Sequence, residues 1–318
     1  MNVPFMNIPE HGGHPGSVSQ RRRWLFIGMV MLVLIAVAVT GGLSYYVGSN
    51  LIHPQRKPIT NTPDAYALVY KTIRFPSAVD QLQLSGWLIP ATGETNKLVI
   101  EAHGYGQNRS SDAPALPVAK ALHEAGIAVL LFDFRGEGES SGNKVSVGLY
   151  EQRDLRGAIA YARRLGYRHI GVIGYSMGAA TALEVASADQ GVEATIADSP
   201  FANLYDYLSR HFSVWTHLPN WPFTPEILFE LRVFDHLNAH RVDPERDAAK
   251  LGQAPVLLIA GTADKTIPMS NSLALYRALR HDRSASLWIV PGAKHVGAYR
   301  VEPQRYLERV VGFFDQCL

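Results

Sequence analysis

A serine stands between two glycines in the segment GVIGYSMGAA, residues 171–180. Gly174 and Gly178 flank the Tyr-Ser-Met triplet where a β-branched run gives way to a run of small residues. Because glycine destabilises the interior of a strand or a helix, this turn must need what only glycine provides. A G-x-S-x-G segment between a strand and a helix is a nucleophile elbow, which presents the serine hydroxyl at the edge of a sheet. Ser176 is therefore the candidate nucleophile.

A serine hydroxyl is a weak nucleophile near neutral pH and needs a neighbouring base. Of the twelve histidines, His295 is the one that follows a predicted C-terminal strand, in the segment SLWIVPGAKHVG. A carboxylate would orient the imidazole and stabilise its charged form. Two aspartates stand at strand ends, Asp264 in LLIAGTADKTIP and Asp198 in ATIADSP. The residue types thus predict a serine, histidine and aspartate triad with two candidates for the acid.

The elements that must position these residues alternate along the chain. From residue 65 onward, short β-branched runs alternate with longer amphipathic segments, which is typical of a sheet with helices on its faces. The predicted strands cover residues 66–75, 82–90, 97–102, 127–133, 169–174, 193–198, 255–260 and 286–290. The first two are joined by a short polar loop and should pair antiparallel, whereas the later ones leave room for crossover helices. The expected fold class is α/β, with an eight-stranded, mostly parallel sheet and helices on both faces.

Residues 201–250 depart from this alternation. They hold several prolines, among them Pro219, Pro222 and Pro225, and an unusual number of aromatic residues: Phe201, Tyr205, Tyr207, Phe212, Trp215, Trp221, Phe223, Phe229 and Phe234. We interpret this segment as an inserted helical cap that packs on the core. We also expect some of its aromatic side chains to line an apolar substrate pocket.

The N-terminal part of the chain differs in kind. Residues 24–47 contain no Asp, Glu, Lys or Arg. As a helix they would extend roughly 36 Å, enough to cross a hydrocarbon core of about 30 Å. Three consecutive arginines precede them, so the positive-inside rule places residues 1–23 in the cytoplasm as a tail. Residues 48–64, which contain three prolines, are expected to be an extended linker to a folded domain of residues 65–318 outside the cytoplasm.

A cleaved signal peptide is the alternative to a membrane anchor. Ala36-Val37-Ala38 has the small-x-small pattern of a cleavage site after an apolar stretch. We favour the anchor, because the preceding region would be unusually long and the uncharged stretch continues to Ile52. The expected location is the cell membrane, with one span and an exported domain.

Composition excludes several classes of function. The formal charge is +2 and the pI is near 8.6, so nucleic acid is not an expected partner. Cys317 is the only cysteine, which excludes an intrachain disulfide, an iron–sulfur cluster and a cysteine-based zinc site. A complete serine triad implies neither a metal nor a cofactor.

With the elbow and its partners in place, residues 66–318 resemble the α/β-hydrolase superfamily. The order serine, acid, histidine is the order of that family. The resemblance implies that His295 is the base and that Asp264 is the acid, with Asp198 as the competitor, because some members supply the acid from an earlier strand. A single span followed by YALVYKTIRFPSAVDQLQLSGWLIPA is similar to bacterial membrane-anchored hydrolases that also resemble monoacylglycerol lipases and serine aminopeptidases.

The resemblance also implies an oxyanion hole. One N–H should come from Met177, the residue after the nucleophile, and the other from Tyr105 in a His-Gly-x turn of the loop EAHGYGQNRSS. His103 in that turn is expected to be structural. The segment FDFRGEGESSG resembles a structural loop of the family, in which Glu137 replaces a frequent histidine.

The residues narrow the reaction to acyl transfer. A serine at position 176 argues against haloalkane dehalogenase and epoxide hydrolase chemistry, which uses a carboxylate nucleophile. The first 64 residues cannot encode the propeller of the prolyl oligopeptidase type, which we therefore do not expect. We expect a carboxylesterase or lipase-like enzyme with a small-molecule or lipid ester as substrate. Alternatives are a serine peptidase or thioesterase on the same triad, and a non-catalytic binding protein.

Overall fold

Eight strands form a single sheet in the computed structural model, which describes residues 16–111, 114–252, 254–279 and 284–318. The strands are β1 Lys71–Pro76, β2 Gln83–Ile89, β3 Lys97–Ala102, β4 Ala128–Phe132, β5 His169–Tyr175, β6 Ala194–Asp198, β7 Val256–Gly261 and β8 Ala285–Val290. Their order in the sheet is β1-β2-β4-β3-β5-β6-β7-β8. β2 pairs antiparallel with both β1 and β4, and all other pairs are parallel. The predicted mostly parallel sheet with an N-terminal hairpin is confirmed.

The first strand was predicted to begin too early. Residues Pro63–Tyr66 form a 3₁₀-helix, which Ala67 ends with a left-handed backbone at φ 57°. Proline at the first position suits a helical turn because its missing N–H is not needed there. The chain therefore turns once before it becomes extended at Lys71.

Helices cover both faces of the sheet. They are α1 Gly16–Ile52, α2 Ala115–Glu124, α3 Glu151–Arg164, α4 Met177–Ala188, α5 Leu204–His211, α6 Ser213–Thr216, α7 Asn220–Phe234, α8 Pro244–Ala248, α9 Ser270–Ala278, α10 Ala298–Val301 and α11 Pro303–Cys317. Side chains alternate across a strand, so Leu98 and Ile100 of β3 face the core under α3, α4 and α9 while Val99 faces the core under α2 and α11. The sheet is thus buried on both faces, as is usual for parallel strands.

The segment between β6 and β7 is helical, as expected for a cap. It contains α5, α6, α7, a short 3₁₀-helix at Ala239–Arg241, and α8. Its buried side chains form a third apolar cluster that includes Phe201, Phe212 and Ile227, together with Ile52 at the end of α1. The cap therefore packs against the N-terminal helix as well as against the core.

The extended linker was expected to begin at residue 48, but the preceding helix includes residues 48–52. α1 continues through Ile52, and the segment after it packs on the folded domain. The guanidinium of Arg56 donates hydrogen bonds to the carbonyl oxygens of Glu137, Gly138, Ser140 and Gly142, at 2.5–3.1 Å. A glycine-rich loop leaves many carbonyls without ladder partners, and one guanidinium satisfies four of them. The N-terminal 15 residues of the expected tail lie outside the described residues.

One buried carboxyl couples the fold to pH. Glu184 on α4 accepts hydrogen bonds from Gln152 Nε2, at 2.5 Å, and from the backbone N–H of Asp243, at 2.7 Å. Burial raises the pKa of Glu184 to about 8, and the nearby charge of Asp247 adds to the shift. Because the pKa is raised on folding, the folded protein binds the extra proton between pH 4.5 and about 8.

The free energy of unfolding should therefore fall as the pH rises from about 5 to 8, with a slope of up to about 1.4 kcal/mol per pH unit from this one proton. Glu184→Gln removes the titration, so its unfolding temperature should decline less over that range than that of the wild type. Thermal unfolding of the detergent-solubilised protein measures this. The exposed Glu94→Gln is the matched control and should keep the wild-type slope. Equal slopes for Glu184→Gln and wild type would contradict the prediction.

Candidate active site

The elbow is built from a close approach of backbone segments. A Cβ at Gly174 would lie 2.2 Å from the carbonyl oxygen of Gly178, and a Cβ at Gly178 would lie 2.1 Å from that of Ala102. No side chain fits at either position. Ser176, between β5 and α4, has φ 55° and ψ −115°, a region that non-glycine residues rarely adopt. Its backbone N–H donates to the carbonyl oxygen of Asp198 at 2.8 Å, which holds the strained turn.

The three predicted triad residues lie together above the carboxyl ends of the parallel strands. His295 Nε2 is 2.8 Å from Ser176 Oγ, and His295 Nδ1 is 2.8 Å from Asp264 Oδ2. The serine and the aspartate are buried, and the histidine side chain is 21% exposed. With Nδ1 protonated toward the carboxylate, Nε2 carries the lone pair that faces the serine hydroxyl.

Asp264 is held in place by its own loop. Its second oxygen, Oδ1, accepts hydrogen bonds from the backbone N–H groups of Thr266 at 2.9 Å and Ile267 at 2.8 Å. The loop after β7 is also joined to the loop after β8, because Ala263 N–H donates to Ala293 O at 2.9 Å. These contacts aim Oδ2 at the imidazole.

The competing aspartate faces elsewhere. Asp198 Oδ2 accepts a hydrogen bond from the hydroxyl of Tyr306 on α11 at 2.9 Å, and Oδ1 accepts one from Ser199 Oγ. Ser199 Oγ in turn accepts the N–H of Val296 at 3.1 Å. Both carboxylate oxygens of Asp198 thus have partners of their own, Tyr306 and Ser199, and through Ser199 the aspartate supports the residue after His295.

The proposed oxyanion donors border the same space as the nucleophile. Tyr105 and Met177 line the cleft that contains Ser176. The Met177 N–H belongs to the first turn of α4, where a helix leaves its N–H groups without intrahelical partners. Burial, with the charge of Glu137 as a second cause, raises the pKa of Tyr105 above its usual range. Its hydroxyl therefore stays protonated and donates to Leu51 O.

Glu137 holds the loop on both sides of Tyr105. Its Oε1 accepts the N–H of Gly106, and its Oε2 lies 3.8 Å from His103 Nδ1. His103 Nε2 accepts the N–H of Phe134 at 2.9 Å, so the ring proton is on Nδ1, which donates to Gly104 O. The hydrogen bonds of His103 thus fit the structural role expected for it. Glu137 connects the loop that carries Tyr105, here called the oxyanion loop, to the glycine-rich loop.

Two clefts of different character meet at Ser176. One is walled by aliphatic, aromatic and methionine side chains apart from the serine itself: Leu51, Ile52, Tyr105, Val147, Met177, Phe201, Tyr207, Leu208, Phe212, Trp215, Leu231 and Ile267. The other is polar, and its lining includes Lys57, Gln107, Ser111, Arg300 and His295. Burial raises the pKa of Tyr207 to about 12, so its hydroxyl remains a donor, to Thr266 O. Among the described residues, no group of three or more His, Cys, Asp or Glu side chains is placed to hold a metal ion.

Sequence reasoning missed the contribution of the N-terminal helix to the site. Leu51 and Ile52 fell in the expected linker, yet they line the apolar cleft. No local signal distinguishes them, because an apolar residue at the end of an apolar helix has the same type whether it faces lipid or a cavity. The aromatic cap residues that line the cleft, Phe201, Tyr207, Phe212 and Trp215, were anticipated as a group.

Comparison with known sequences gives a family and several relatives. A family model described as the prolyl oligopeptidase family matches residues 117–318. The chain is 32% identical over 232 residues to YqkD of Bacillus subtilis, which covers 71% of this chain and 73% of YqkD. It is 28% identical over 252 residues to YfhR of Escherichia coli K12, which covers 76% of this chain and 80% of YfhR.

Solved structures of hydrolases share the fold. The esterase Pf2001 of Pyrococcus furiosus has a TM-score of 0.70 and 27% identity, covering 84% of this chain and 98% of the esterase. Est1E of Butyrivibrio proteoclasticus, solved with ferulic acid, has a TM-score of 0.62 at 21% identity, and the match covers 76% of this chain and 98% of Est1E. The acylaminoacyl peptidase of Pyrococcus horikoshii has a TM-score of 0.60 at 19% identity, and the match covers 79% of this chain and 42% of the peptidase. At such identities the last two show the fold alone.

Replacement of the two aspartates should separate their roles. In Asp264→Asn, the two backbone N–H groups keep the amide oxygen at the Oδ1 position, so the amide nitrogen must face His295 Nδ1. An N–H there imposes the wrong imidazole tautomer and should lower ester turnover by about 10⁴-fold. Asp198→Asn should lower it far less, because its amide still pairs with Tyr306 and Ser199. Measured kcat values for both variants check this, and the reverse ranking would move the acid to β6.

Proposed function

Because the chain belongs to the prolyl oligopeptidase family of α/β-hydrolases, we propose that it is a serine hydrolase that cleaves carboxylic esters through an acyl-serine intermediate. The observation that carries the proposal is the hydrogen-bonded row of Ser176, His295 and Asp264 at the floor of an apolar cleft. This arrangement supports a catalytic role over that of a non-catalytic binding protein, because binding alone requires no aligned base and acid.

Family membership revises one expectation. We did not expect the prolyl oligopeptidase type, because the first 64 residues are too short for a propeller, and for the family that expectation was wrong. The matched residues 117–318 lie wholly in the hydrolase domain. The family is therefore identified by its catalytic domain, and the length of the N-terminal region does not bear on it.

The proposed site residues have the chemistry that each step of acyl transfer requires. His295 Nε2 takes the proton of Ser176 as Oγ attacks the ester carbonyl, and the backbone N–H groups of Met177 and Tyr105 stabilise the developing oxyanion, each by on the order of 3 kcal/mol. The imidazolium, paired with Asp264, then protonates the leaving alcohol as the ester C–O bond breaks. A water molecule, deprotonated by His295, attacks the acyl-serine, and the proton returns to Ser176 as the acid leaves.

The two clefts favour an ester over a peptide. The apolar cleft suits the acyl group of a carboxylic ester, and the polar cleft, which also reaches Ser176, suits a hydrated alcohol. Family membership makes a serine peptidase the second candidate. The described residues that line the polar cleft include the cations Lys57 and Arg300 but no carboxylate to bind a peptide amine. The similarity to a Pyrococcus furiosus protein named an esterase supports the first candidate.

We also propose that α1 anchors the enzyme in the cell membrane with its hydrolase domain outside the cytoplasm. Gln20–Ile52 is long and apolar enough to cross a membrane, and its most apolar window is not buried by the rest of the chain. The exposed large side chains from Trp24 to Val39 suit contact with lipid. The three arginines before the span favour a cytoplasmic N-terminus.

Ser176→Ala tests the nucleophile. The variant should keep its fold, lose fluorophosphonate labelling, and lose ester turnover by several orders of magnitude, because the hydroxyl that forms the acyl bond is gone. Labelling followed by a panel of nitrophenyl esters of increasing chain length provides the measurement. Labelling at a different serine, or full turnover by the variant, would reject the assignment.

Protease protection tests the orientation. A protease added to intact spheroplasts should digest the hydrolase domain and leave a small N-terminal fragment with the cells, since the arginines retain the N-terminus inside. A cytoplasmic protein in the same cells serves as the control for lysis. A domain that is protected until the membrane is opened would place the enzyme in the cytoplasm.

A further inference from the structure

Helix α7 of the cap crosses the N-terminal helix. Glu230 on α7 approaches Gly41, whereas its neighbour Leu231 approaches Gly48. These two positions on α1 are seven residues apart, about 10 Å along a helix axis. Neighbouring residues of a helix that ran alongside α1 would contact positions within one turn of each other. Ile227 and Leu231, one turn apart on α7, also both approach the single position Gly48, which places α7 across α1. Gly48 allows the contact, since a Cβ there would be 3.0 Å from Ile227.

Hydrogen bonds fix this crossing. The carboxylate of Glu226 accepts hydrogen bonds from Ser44 Oγ at 2.9 Å and from Thr40 Oγ1 at 3.1 Å. Ser44 is fully buried. Because Arg56 also ties the end of α1 to the glycine-rich loop, α1 and the cap form one packed body.

The level of the crossing matches the outer boundary of a membrane. If the hydrocarbon core begins at Trp24, about 20 helical residues cross it, and it ends near residue 43. The contacts with α7 lie at residues 40–48, at that boundary. Tyr45 and Tyr46, 50% and 66% exposed, stand at the same level, where aromatic side chains are enriched in membrane proteins. A helix that crosses α1 there lies close to the plane of the membrane surface.

The outer face of α7 is apolar and uncovered. Phe229 and Val233, one helical turn apart, are 64% and 45% exposed. Trp221, 79% exposed, precedes them at a kink where the backbone is not helical. Phe234, 63% exposed, packs edge-on against Tyr45 with ring centroids 6.1 Å apart, so this face is continuous with the exposed surface of α1. Large apolar side chains exposed at helical spacing beside a membrane span are typical of an interfacial helix.

The inner face of the same two helices is a wall of the cleft. Leu231 of α7 and Leu51 and Ile52 of α1 line the apolar space that reaches Ser176. Leu51 O accepts the hydroxyl of Tyr105, so the end of α1 also contacts the oxyanion loop. A single layer of helix thus separates the acyl cleft from the exposed apolar face.

We propose that α7 lies in the outer surface of the bilayer with its exposed face in lipid, and that the cleft behind it, walled by Leu51 and Ile52, takes acyl chains of esters that reside in the membrane. The substrate class is then a membrane-resident acyl ester whose polar part remains on the side of Lys57 and Arg300. The occupant of the apolar face is lipid because that face continues the lipid-facing surface of α1. The acyl-cleft part of this inference rests on the proposed esterase function, whereas the membrane contact does not.

Membrane contact is tested without catalysis. In a full-length Cys317→Ser background, Phe229→Cys carries a nitrobenzoxadiazole fluorophore in phosphatidylcholine vesicles that contain nitroxide-labelled lipid. Val79→Cys is the matched control, because Val79 is also an exposed apolar residue, at 63%, in the loop between β1 and β2. We expect quenching at position 229 to exceed that at position 79 several-fold. Equal quenching at the two positions would overturn the membrane placement of α7, whatever the enzyme hydrolyses.

The cleft wall is tested by chain-length selectivity. Leu51→Trp should fill the cleft and lower the ratio of dodecanoyl to acetyl ester kcat/KM about tenfold, with fluorophosphonate labelling retained. Leu43→Trp, the same change on an exposed part of α1, should leave the ratio unchanged. Leu51→Ala, which enlarges the cleft without crowding, should shift preference toward longer chains. Unchanged ratios in both Leu51 variants would overturn the assignment, whereas a wild type that hydrolyses no ester would instead reject the proposed function.

Discussion

The position of Ser176, the proposed nucleophile, depends on one steric constraint, the close approach of β5, α4 and the end of β3. Gly174 and Gly178 each face a carbonyl oxygen too near for any Cβ, so the backbones pack directly. This contact leaves Ser176 no relaxed conformation and holds it at φ 55° with its hydroxyl above the sheet edge. The two glycines and the strained serine lower the stability of the fold, and in return the hydroxyl of Ser176 is held in one place.

The other triad residues are held by hydrogen bonds between neighbouring loops. Ala263, in the loop after β7, donates its backbone N–H to the loop after β8. Ser199, in the loop after β6, accepts the backbone N–H of Val296. The cap joins the same network, because Tyr207 donates to Thr266 beside the acid. Since each loop is fixed by its neighbour, the imidazole has little freedom to leave its partners, which is the preorganisation that acyl transfer requires.

The N-terminal helix is integrated with the hydrolase domain and is not a tether. Arg56 fastens its end to the loop that carries Glu137, and Glu137 holds Gly106 next to the proposed oxyanion donor. Ile52 is buried in the cap cluster. As a result, the fold fixes how the apolar cleft is oriented relative to α1. If α1 anchors the protein as proposed, the same contacts set the route by which an acyl chain would reach the cleft.

The sequence by itself determined what local patterns encode. The glycines around Ser176, the alternation of strands and helices, the N-terminal hairpin and the apolar span each depend on short stretches of chain, and all were predictable. Only the tertiary structure decided which aspartate reaches His295, because both stand at strand ends and the choice depends on Tyr306, far away in the sequence, which holds Asp198. It also decided that the end of α1 lines a cleft, since the type of an apolar residue is the same whether it packs on lipid, on a protein core or around a substrate.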